Sequence, residues 1–152
     1  MKDYLLDTCI VSQFIHREAR QRYPRVVERV TEVVKKQGAY VSIVTVYELR
    51  RGIELLRLQG SGRKKEVALK MFLHGVTTLS LDDNGNQGWS VAARVHAHGQ
   101  ARQPAITLGE GDLLIAATAI AHSRILLTSD STLGTRFRDL GLPELVEVVP
   151  FK

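Results

Sequence analysis

Four acidic residues, Asp7, Glu48, Asp112 and Asp130, stand at or just beyond the ends of apolar segments in this chain. Asp112 is the clearest case, because residues 113–119 form a helical segment that is apolar on nearly every face. Such a helix belongs in the core, so the Asp112 carboxylate lies where core meets surface, a costly place for an unpaired charge. We therefore expect the four carboxylates to share one cleft and to bind a divalent cation.

Clustered carboxylates need a compensating charge. Two unit charges about 4 Å apart repel by ~4 kcal/mol at an effective dielectric of about 20, and a bound cation reverses the sign of that interaction. Mg²⁺ and Mn²⁺ prefer oxygen ligands, keep several waters and commonly bind substrate phosphates. Such an ion activates water and neutralises charge on a leaving oxygen, so the expected chemistry is hydrolysis of a phosphodiester.

Each acid also has a purely structural explanation. Asp7 and Asp112 precede or open helical segments, where a carboxylate caps free backbone N–H groups. Glu48 lies three residues before Arg51 and can pair with it on a helix surface. Asp130 can cap the helical segment that follows it. Each explanation suffices for one residue taken alone, and only the joint pattern favours a shared site.

The composition fits one globular domain that spans residues 1–152, with 44% hydrophobic residues. No segment approaches the roughly 20 apolar residues of a membrane span, and no signal peptide precedes the first strand, so we expect a cytoplasmic protein without membrane contact. The 21 Lys and Arg residues exceed the 16 Asp and Glu residues, which gives a formal net charge of +5. A basic surface around an acidic cleft suits a polyanion such as nucleic acid, although solvated helical ion pairs would explain the same charges.

Cysteine and histidine offer no alternative metal site. Cys9 is the single cysteine, which excludes an internal disulfide and a thiolate zinc site, and its apolar neighbours indicate a buried structural thiol. His96 and His98 are two residues apart on a predicted helix, so their rings point in different directions.

Strand and helix patterns alternate along the whole chain. Short apolar runs predict five strands, at residues 4–6, 39–44, 76–81, 125–128 and 145–149. Helical periodicity lies between them, for example at residues 23–36, where valines recur at helical spacing until Gly38. This alternation predicts a parallel sheet with helices on both faces and all strand carboxyl ends along one edge. If the first and fourth strands are neighbours, Asp7 and Asp130 face each other at the point where the strand order reverses.

The segments around the four acids resemble the motifs of the PIN domain, in particular those of VapC-type ribonuclease toxins from toxin–antitoxin pairs. Leu5-Leu6-Asp7-Thr8 resembles the opening motif, and the segment from Thr45 to Ile53, which contains Glu48, resembles the second. Asp112-Leu113-Leu114-Ile115-Ala116-Ala117-Thr118-Ala119 resembles the third and is the most specific. Leu127-Thr128-Ser129-Asp130 resembles the fourth, so the resemblance covers the whole chain.

The resemblance implies a PIN-like three-layer α/β/α sandwich with a mainly parallel five-stranded sheet, and a metal-dependent endoribonuclease. Asp7 and Asp112 would be the principal ligands of Mg²⁺ or Mn²⁺. Glu48 and Asp130 would complete the catalytic acidic pocket, through water or by positioning the nucleophile. Three hydroxyl residues would support these acids by hydrogen bonds: Thr8, Thr128 and Ser129.

Glu110 lies two residues before Asp112, and we interpret it as a solvent-exposed residue rather than an accessory acid. The resemblance further implies an RNA substrate, a homodimer, and an antitoxin that covers the acidic cleft with a basic side chain. Two alternatives stay open at this point. One is a catalytically silent PIN domain that serves as an RNA-binding or assembly module, and the other is a free-standing RNA-processing nuclease.

Overall fold

The computed structural model describes residues 3–36 and 38–150, which form a five-stranded sheet between two helical layers. The strands are β1 (Tyr4–Leu6), β2 (Ala39–Ser42), β3 (Thr77–Leu79), β4 (Ile125–Thr128) and β5 (Val146–Val148). The helices are α1 (Thr8–Phe14), α2 (Ala19–Arg22), α3 (Pro24–Lys36), α4 (Ile43–Leu58), α5 (Arg63–His74), α6 (Asp83–Gln100), α7 (Glu110–Ala121) and α8 (Ser131–Asp139), with a 3₁₀ turn at Pro143–Leu145.

All five strands are parallel and lie in the order β3-β2-β1-β4-β5. The strand order reverses between β1 and β4, where Leu5 pairs with Leu126. The first and fourth strands are therefore neighbours, which is the condition under which Asp7 and Asp130 were expected to face each other. Consecutive β1 residues serve opposite faces, so Leu6 packs with α1, α3, α4 and α5, whereas Leu5 packs with α6, α7 and α8. The predicted fold, a three-layer α/β/α sandwich with a five-stranded parallel sheet, is confirmed.

Three of the strands are shorter in the structure than the sequence predicted. The second strand ends at Ser42 rather than at residue 44, because the Ser42 hydroxyl accepts a hydrogen bond from the Val44 N–H (3.1 Å) and caps α4. The third strand is limited to Thr77–Leu79, and its two threonines are exposed at the sheet edge. The fifth strand begins after the 3₁₀ turn, at Val146, and ends at Val148. Apolar character extends past these strands because most of the flanking apolar residues are also wholly or partly buried, with Ile43 as the exposed exception.

Helix α7 confirms the expectation of a core helix. Six of its twelve residues are buried, and they lie on several faces: Leu113, Ile115, Ala116, Ala117, Thr118 and Ala119. Its amino-terminal end carries Asp112 toward the sheet edge at which the strands end. In the described part of the chain, no helix has both the length and the apolar composition that crossing a membrane requires.

A cluster of polar side chains connects the edge strand β5 to helix α3 and to the middle strand β1. The Glu147 carboxylate accepts hydrogen bonds from Arg29 Nε (2.7 Å), Arg29 Nη2 (3.0 Å) and the Tyr4 hydroxyl (2.9 Å). These contacts join β5, α3 and β1. Hydrogen bonds from Arg29, and then from Tyr4, hold the pKa of Glu147 below its usual range although burial opposes them.

We expect Glu147→Gln to lower the free energy of unfolding by about 1 kcal/mol at neutral pH, after allowance for solvent screening of a partly exposed pair. A carboxyl group whose pKa is lowered by folding stabilises the protein above its unfolded pKa, and this contribution is lost as the pH falls through the folded pKa. The difference between the variant and the wild type should therefore disappear in acid. Urea unfolding at a series of pH values measures this, with Glu144→Gln as the control for an exposed carboxylate nearby. An equal loss at all pH values would contradict the prediction.

Candidate metal and active site

Asp7 and Asp130 lie at the carboxyl ends of β1, the middle strand, and of its neighbour β4, where the strand order reverses. Asp7 follows β1 directly and extends its ladder, because its N–H donates to the Leu127 carbonyl (2.9 Å). Asp130 follows β4 after one intervening residue. In parallel sheets this edge and this reversal point form the crevice that binds ligands. The topology thus places two of the predicted acids at the position where such a crevice forms.

The Asp7 carboxylate is buried and held by three neighbours. Its Oδ1 accepts the Thr8 N–H (2.8 Å), and its Oδ2 accepts the Thr128 hydroxyl (2.7 Å) and lies 3.5 Å from Cys9 Sγ, which donates to it. Burial is the main cause of a raised Asp7 pKa, which these three hydrogen bonds lower and the charge of Glu48 raises further. Asp7 is therefore a fixed carboxylate in a poorly hydrated place, which favours a nearby cation.

Glu48 lies on α4 and points back toward the start of α1. Its Oε1 accepts a hydrogen bond from the Thr8 hydroxyl (2.7 Å), which also lies 3.0 Å from Thr45 Oγ1. Its Oε2 lies against the backbone of α7, because a Cβ added at Gly111 would be only 2.7 Å from this oxygen. The missing side chain of Gly111 leaves room for Glu48 beside the first turn of α7.

Asp112 occupies the first turn of α7 and has a carboxylate that makes no hydrogen bond with any residue that the structure describes. Burial is the first cause of its raised pKa, followed by the negative charges of Asp7, Asp130 and Glu48. Arg136 of α8 opposes this shift. The four predicted acids are thus close enough to act on one another electrostatically, and among the described residues Asp112 is the acid to which no side chain or backbone group donates a hydrogen bond.

Asp130 and Glu110 differ in what they contact. Asp130 caps α8, because its Oδ1 accepts the N–H groups of Thr132 (2.9 Å) and Leu133 (3.2 Å). Glu110, the first residue of α7, is exposed as predicted. Of these two acids, Asp130 raises the pKa of Asp112, whereas Glu110 is not among the causes of that shift.

Three of the four structural explanations describe real contacts. Asp7 and Asp130 are helix N-caps, and Arg51 Nη2 lies 4.0 Å from Glu48 Oε2. Asp112 is not an N-cap, since Gly109 holds that position and Asp112 lies inside the first turn. Capping occupies Oδ1 of Asp7 and of Asp130, so it does not remove either residue from the cleft.

The three predicted supporting hydroxyls divide between the acids and the thiol. Thr8 donates to Glu48 and Thr128 donates to Asp7, whereas the Ser129 hydroxyl donates to Cys9 Sγ (3.2 Å). Cys9 is only partly buried, and burial followed by the charge of Asp7 raises the pKa of its thiol. A raised pKa keeps the thiol protonated, so that it can donate a hydrogen bond to Asp7. This contact supports the interpretation of Cys9 as a structural residue.

The donor set suits Mg²⁺ or Mn²⁺ in its chemistry, because it consists of carboxylate oxygens, and the Asp112 carboxylate receives no hydrogen bond from the part of the chain that the structure describes. Within residues 3–36 and 38–150, however, no three Asp, Glu, His or Cys side chains converge closely enough to hold an ion between them. An ion here would therefore take one or two protein carboxylates and complete its shell with water or phosphate oxygens, which is the usual habit of Mg²⁺.

Two neighbours of the acids were not predicted from the sequence. Gly111 determines how closely Glu48 approaches α7, and the run Gly109-Glu110-Gly111 was the only sequence signal for it. Arg136 places a guanidinium charge near Asp112, and nothing in its sequence neighbourhood distinguishes it from other arginines. Both effects depend on which helix ends meet at the sheet edge.

Comparison with known proteins agrees with this geometry. Residues 4–140 match the sequence model of the PIN domain. The structure is similar to that of VapBC2 from Rickettsia felis bound to a DNA fragment from its promoter, with a TM-score of 0.73, 20% identity, and coverage of 96% of this chain and 98% of that one. It is also similar to FitAcB from Neisseria gonorrhoeae, with a TM-score of 0.67, 24% identity and 97% coverage of both chains.

A third similar structure is VapBC-5 from Mycobacterium tuberculosis, a member of the VapBC family of toxin–antitoxin systems. Its TM-score is 0.63 at 21% identity, with 98% of both chains covered. At these identities the similarity concerns the fold. No curated protein sequence matches the chain.

Proposed function

Because this chain belongs to the PIN domain family, we propose that it is a metal-dependent endoribonuclease and the toxin of a toxin–antitoxin pair. The observation that carries the proposal is the state of Asp112. Its carboxylate is partly buried, receives no hydrogen bond from the described residues, and is destabilised by three other acids. Such a carboxylate lowers the stability of the fold unless something compensates its charge. A cation bound beside it would provide that compensation.

In this proposal Asp7 and Asp112 hold Mg²⁺ or Mn²⁺, and Glu48 and Asp130 act on it through water or position the nucleophile. The ion would activate water and neutralise charge on the phosphate oxygens of RNA. The resulting activity is hydrolysis of RNA phosphodiester bonds in the cytoplasm.

The protein's own hydrogen bonds keep the carboxylates in place for this role. The Thr128 hydroxyl accepts the Asp130 N–H (3.1 Å) and donates to Asp7 Oδ2, so it links the acids that follow β1 and β4. The Thr8 hydroxyl fixes Glu48, while its N–H fixes Asp7. Residues that orient metal ligands in this way typically contribute about 10- to 100-fold to affinity or activity.

Incubation of the purified, partner-free protein with total RNA and with a structured tRNA tests the proposal. We expect discrete fragments with Mg²⁺ or Mn²⁺ and none with EDTA. Absence of cleavage with either metal, from folded protein, would reject the nuclease and favour the silent RNA-binding or assembly module. Cleavage that EDTA does not stop would reject the metal-dependent mechanism.

We expect Gly111→Ala to lower the rate of RNA cleavage about tenfold or more, because the new Cβ would displace the Glu48 carboxylate from its place beside α7. The melting temperature should not fall, since alanine favours a helix over glycine by about 1 kcal/mol. Gly52→Ala in α4 is the control for this gain in helix propensity, because a Cβ there meets nothing within 4 Å. Unchanged cleavage by Gly111→Ala would show that the position of Glu48 does not matter.

A toxin of this kind needs an inhibitor, and the similarity to VapBC structures supports an antitoxin as the partner. The anionic cleft favours an inhibitor that places a basic side chain against the carboxylates. A homodimer is part of the same proposal. Purification with the product of a small neighbouring reading frame tests the partner, and this product should suppress cleavage at a one-to-one ratio with the toxin chain.

A further inference from the structure

Helix α4 exposes an aromatic ring beside the cleft. The Tyr47 side chain is 60% exposed, although large aromatic side chains are usually packed. One helical turn further, the Arg51 guanidinium lies over this ring, with its central carbon 5.3 Å from the ring centroid. This is a cation–π contact between two solvent-exposed side chains, and it brings an aromatic ring and a guanidinium plane together on the surface.

The pair adjoins the candidate active site directly. Arg51 Nη2 lies 4.0 Å from Glu48 Oε2, and the other oxygen of Glu48 accepts the Thr8 hydroxyl. The ion pair is at the limit of contact and the Arg51 side chain is 62% exposed, so it contributes little to stability. The Arg51 guanidinium is therefore available to a ligand that enters the cleft from this side.

A flat aromatic ring next to an arginine suits one class of ligand. Bases of single-stranded nucleic acid stack on tyrosine rings and on guanidinium planes, and arginine binds the phosphates between them. A base inside a duplex has no free face, so the nucleotide must be unpaired. We propose that Tyr47 and Arg51 form a subsite for one unpaired base and one phosphate of RNA, immediately beside the phosphodiester that enters the cleft. This inference rests on the proposed function, because it assigns the direction from which RNA reaches the carboxylates.

Three other apolar residues of α4 are exposed; Ile43 lies one turn before Tyr47, and the other two provide the contrast. Leu55 is 58% exposed and Leu58 is 86% exposed, but both lie two or more turns beyond Glu48. A protein that docks along α4 would use Leu55 as well as Tyr47. An RNA subsite depends on Tyr47 and Arg51 alone, so the two classes of partner give different mutational patterns.

The test measures binding of a short, unstructured, fluorescently labelled RNA by anisotropy, with Asp112→Asn present in every protein to prevent cleavage. We expect Tyr47→Leu to raise the Kd about 5- to 100-fold, the range for loss of one stacked base, and Tyr47→Phe to stay within about twofold of the parent. Arg51→Gln should reduce the slope of log Kd against log salt by about 0.7, the contribution of one phosphate on a single strand. Leu55→Ala is the matched control and should bind RNA as the parent does.

Equal RNA binding by Tyr47→Leu and the parent would overturn the inference. So would equal weakening by Leu55→Ala, because the loss of RNA binding would then not be specific to Tyr47 and Arg51. The binding readout does not depend on catalysis, so the two proposals fail separately. If the wild type cleaves RNA with metal but Tyr47→Leu changes neither Kd nor KM, only the subsite is rejected. If the wild type does not cleave RNA but Tyr47→Leu specifically weakens RNA binding, only the nuclease is rejected.

Discussion

Asp112→Asn is expected to abolish metal-dependent RNA cleavage without destabilising the protein. The loss of rate should be about 100-fold or more, because even residues that only orient metal ligands contribute 10- to 100-fold. In the absence of metal, the variant should be as stable as the wild type or up to about 1 kcal/mol more stable. Its side chain replaces a carboxylate that has no hydrogen bond in the described structure and that Asp7, Asp130 and Glu48 repel.

Thermal unfolding with and without Mn²⁺ measures the second half of this prediction. Because a ligand that binds only the native state raises stability, Mn²⁺ should raise the melting temperature of the wild type more than that of the variant. A gain of 1 kcal/mol corresponds to roughly 2–4 °C for a domain of this size. A variant that melts well below the wild type and responds equally to Mn²⁺ would show that Asp112 has a structural role. Running both proteins through one purification also controls for contaminating nuclease.

Thr128→Val is expected to cost about 2–3 kcal/mol of stability at neutral pH, because it removes a buried hydroxyl that contacts Asp7, the Asp130 N–H and the Cys9 thiol. This hydroxyl donates to Asp7 Oδ2 and accepts the Asp130 N–H, and the side chain has no solvent exposure. Hydrogen bonds to charged groups contribute more than neutral ones, and a buried acceptor left without its donor bears the full cost of desolvation. Thr128→Ser keeps the hydroxyl and is the matched control.

The cost of Thr128→Val should depend on pH in a definite direction. Burial already raises the pKa of Asp7, so ionisation of Asp7 destabilises the fold, and stability is lost as the pH rises through its folded pKa. Without the Thr128 donor this pKa rises further. The difference between variant and wild type is then largest above the folded pKa of Asp7 and shrinks as the pH falls through it.

Urea unfolding across the acidic and neutral range measures this dependence, and cleavage should fall about 10-fold or more as Asp7 becomes a weaker ligand. A cost for Thr128→Val that is equal at all pH values would mean that the hydroxyl does not act on the charge of Asp7. Equal costs for Thr128→Ser and Thr128→Val would assign the effect to packing rather than to hydrogen bonding.

The architecture could be predicted because its causes are local. Short apolar runs alternate with helical periodicity, and apolar strands without polar alternation indicate a sheet covered on both faces. That pattern predicted the five strands and the parallel sheet, whereas the adjacency of β1 and β4, on which the positions of Asp7 and Asp130 depend, is known only from the structure. It predicted the ends of strands less well, because a hydrophobic residue such as Ile43 fits either a strand or the first turn of a capped helix.

The placement of acids at element ends is also a property of the sequence. The segment around Asp112 could be identified because a carboxylate at the start of an almost wholly apolar helix is uncommon. The hydrogen bonds among the side chains of the site could not be predicted from the sequence, because their partners are far apart in the chain. Thr8 meets Glu48 across 40 residues of chain, and Thr128 meets Asp7 across 121.

The sequence alone was sufficient to predict the fold class and to select the four acids as candidates. Both depend on patterns of neighbouring residues, namely apolar periodicity and acids at the ends of apolar segments. Tertiary structure decided which hydroxyl serves which carboxylate, that Gly111 leaves room for the Glu48 carboxylate, and that Tyr47 and Arg51 stand beside Glu48. The physical reason is that hydrogen bonds and close approaches depend on positions to within a few tenths of an ångström. Those positions are fixed only when the ends of β1, β4, α4 and α7 pack together at one edge of the sheet.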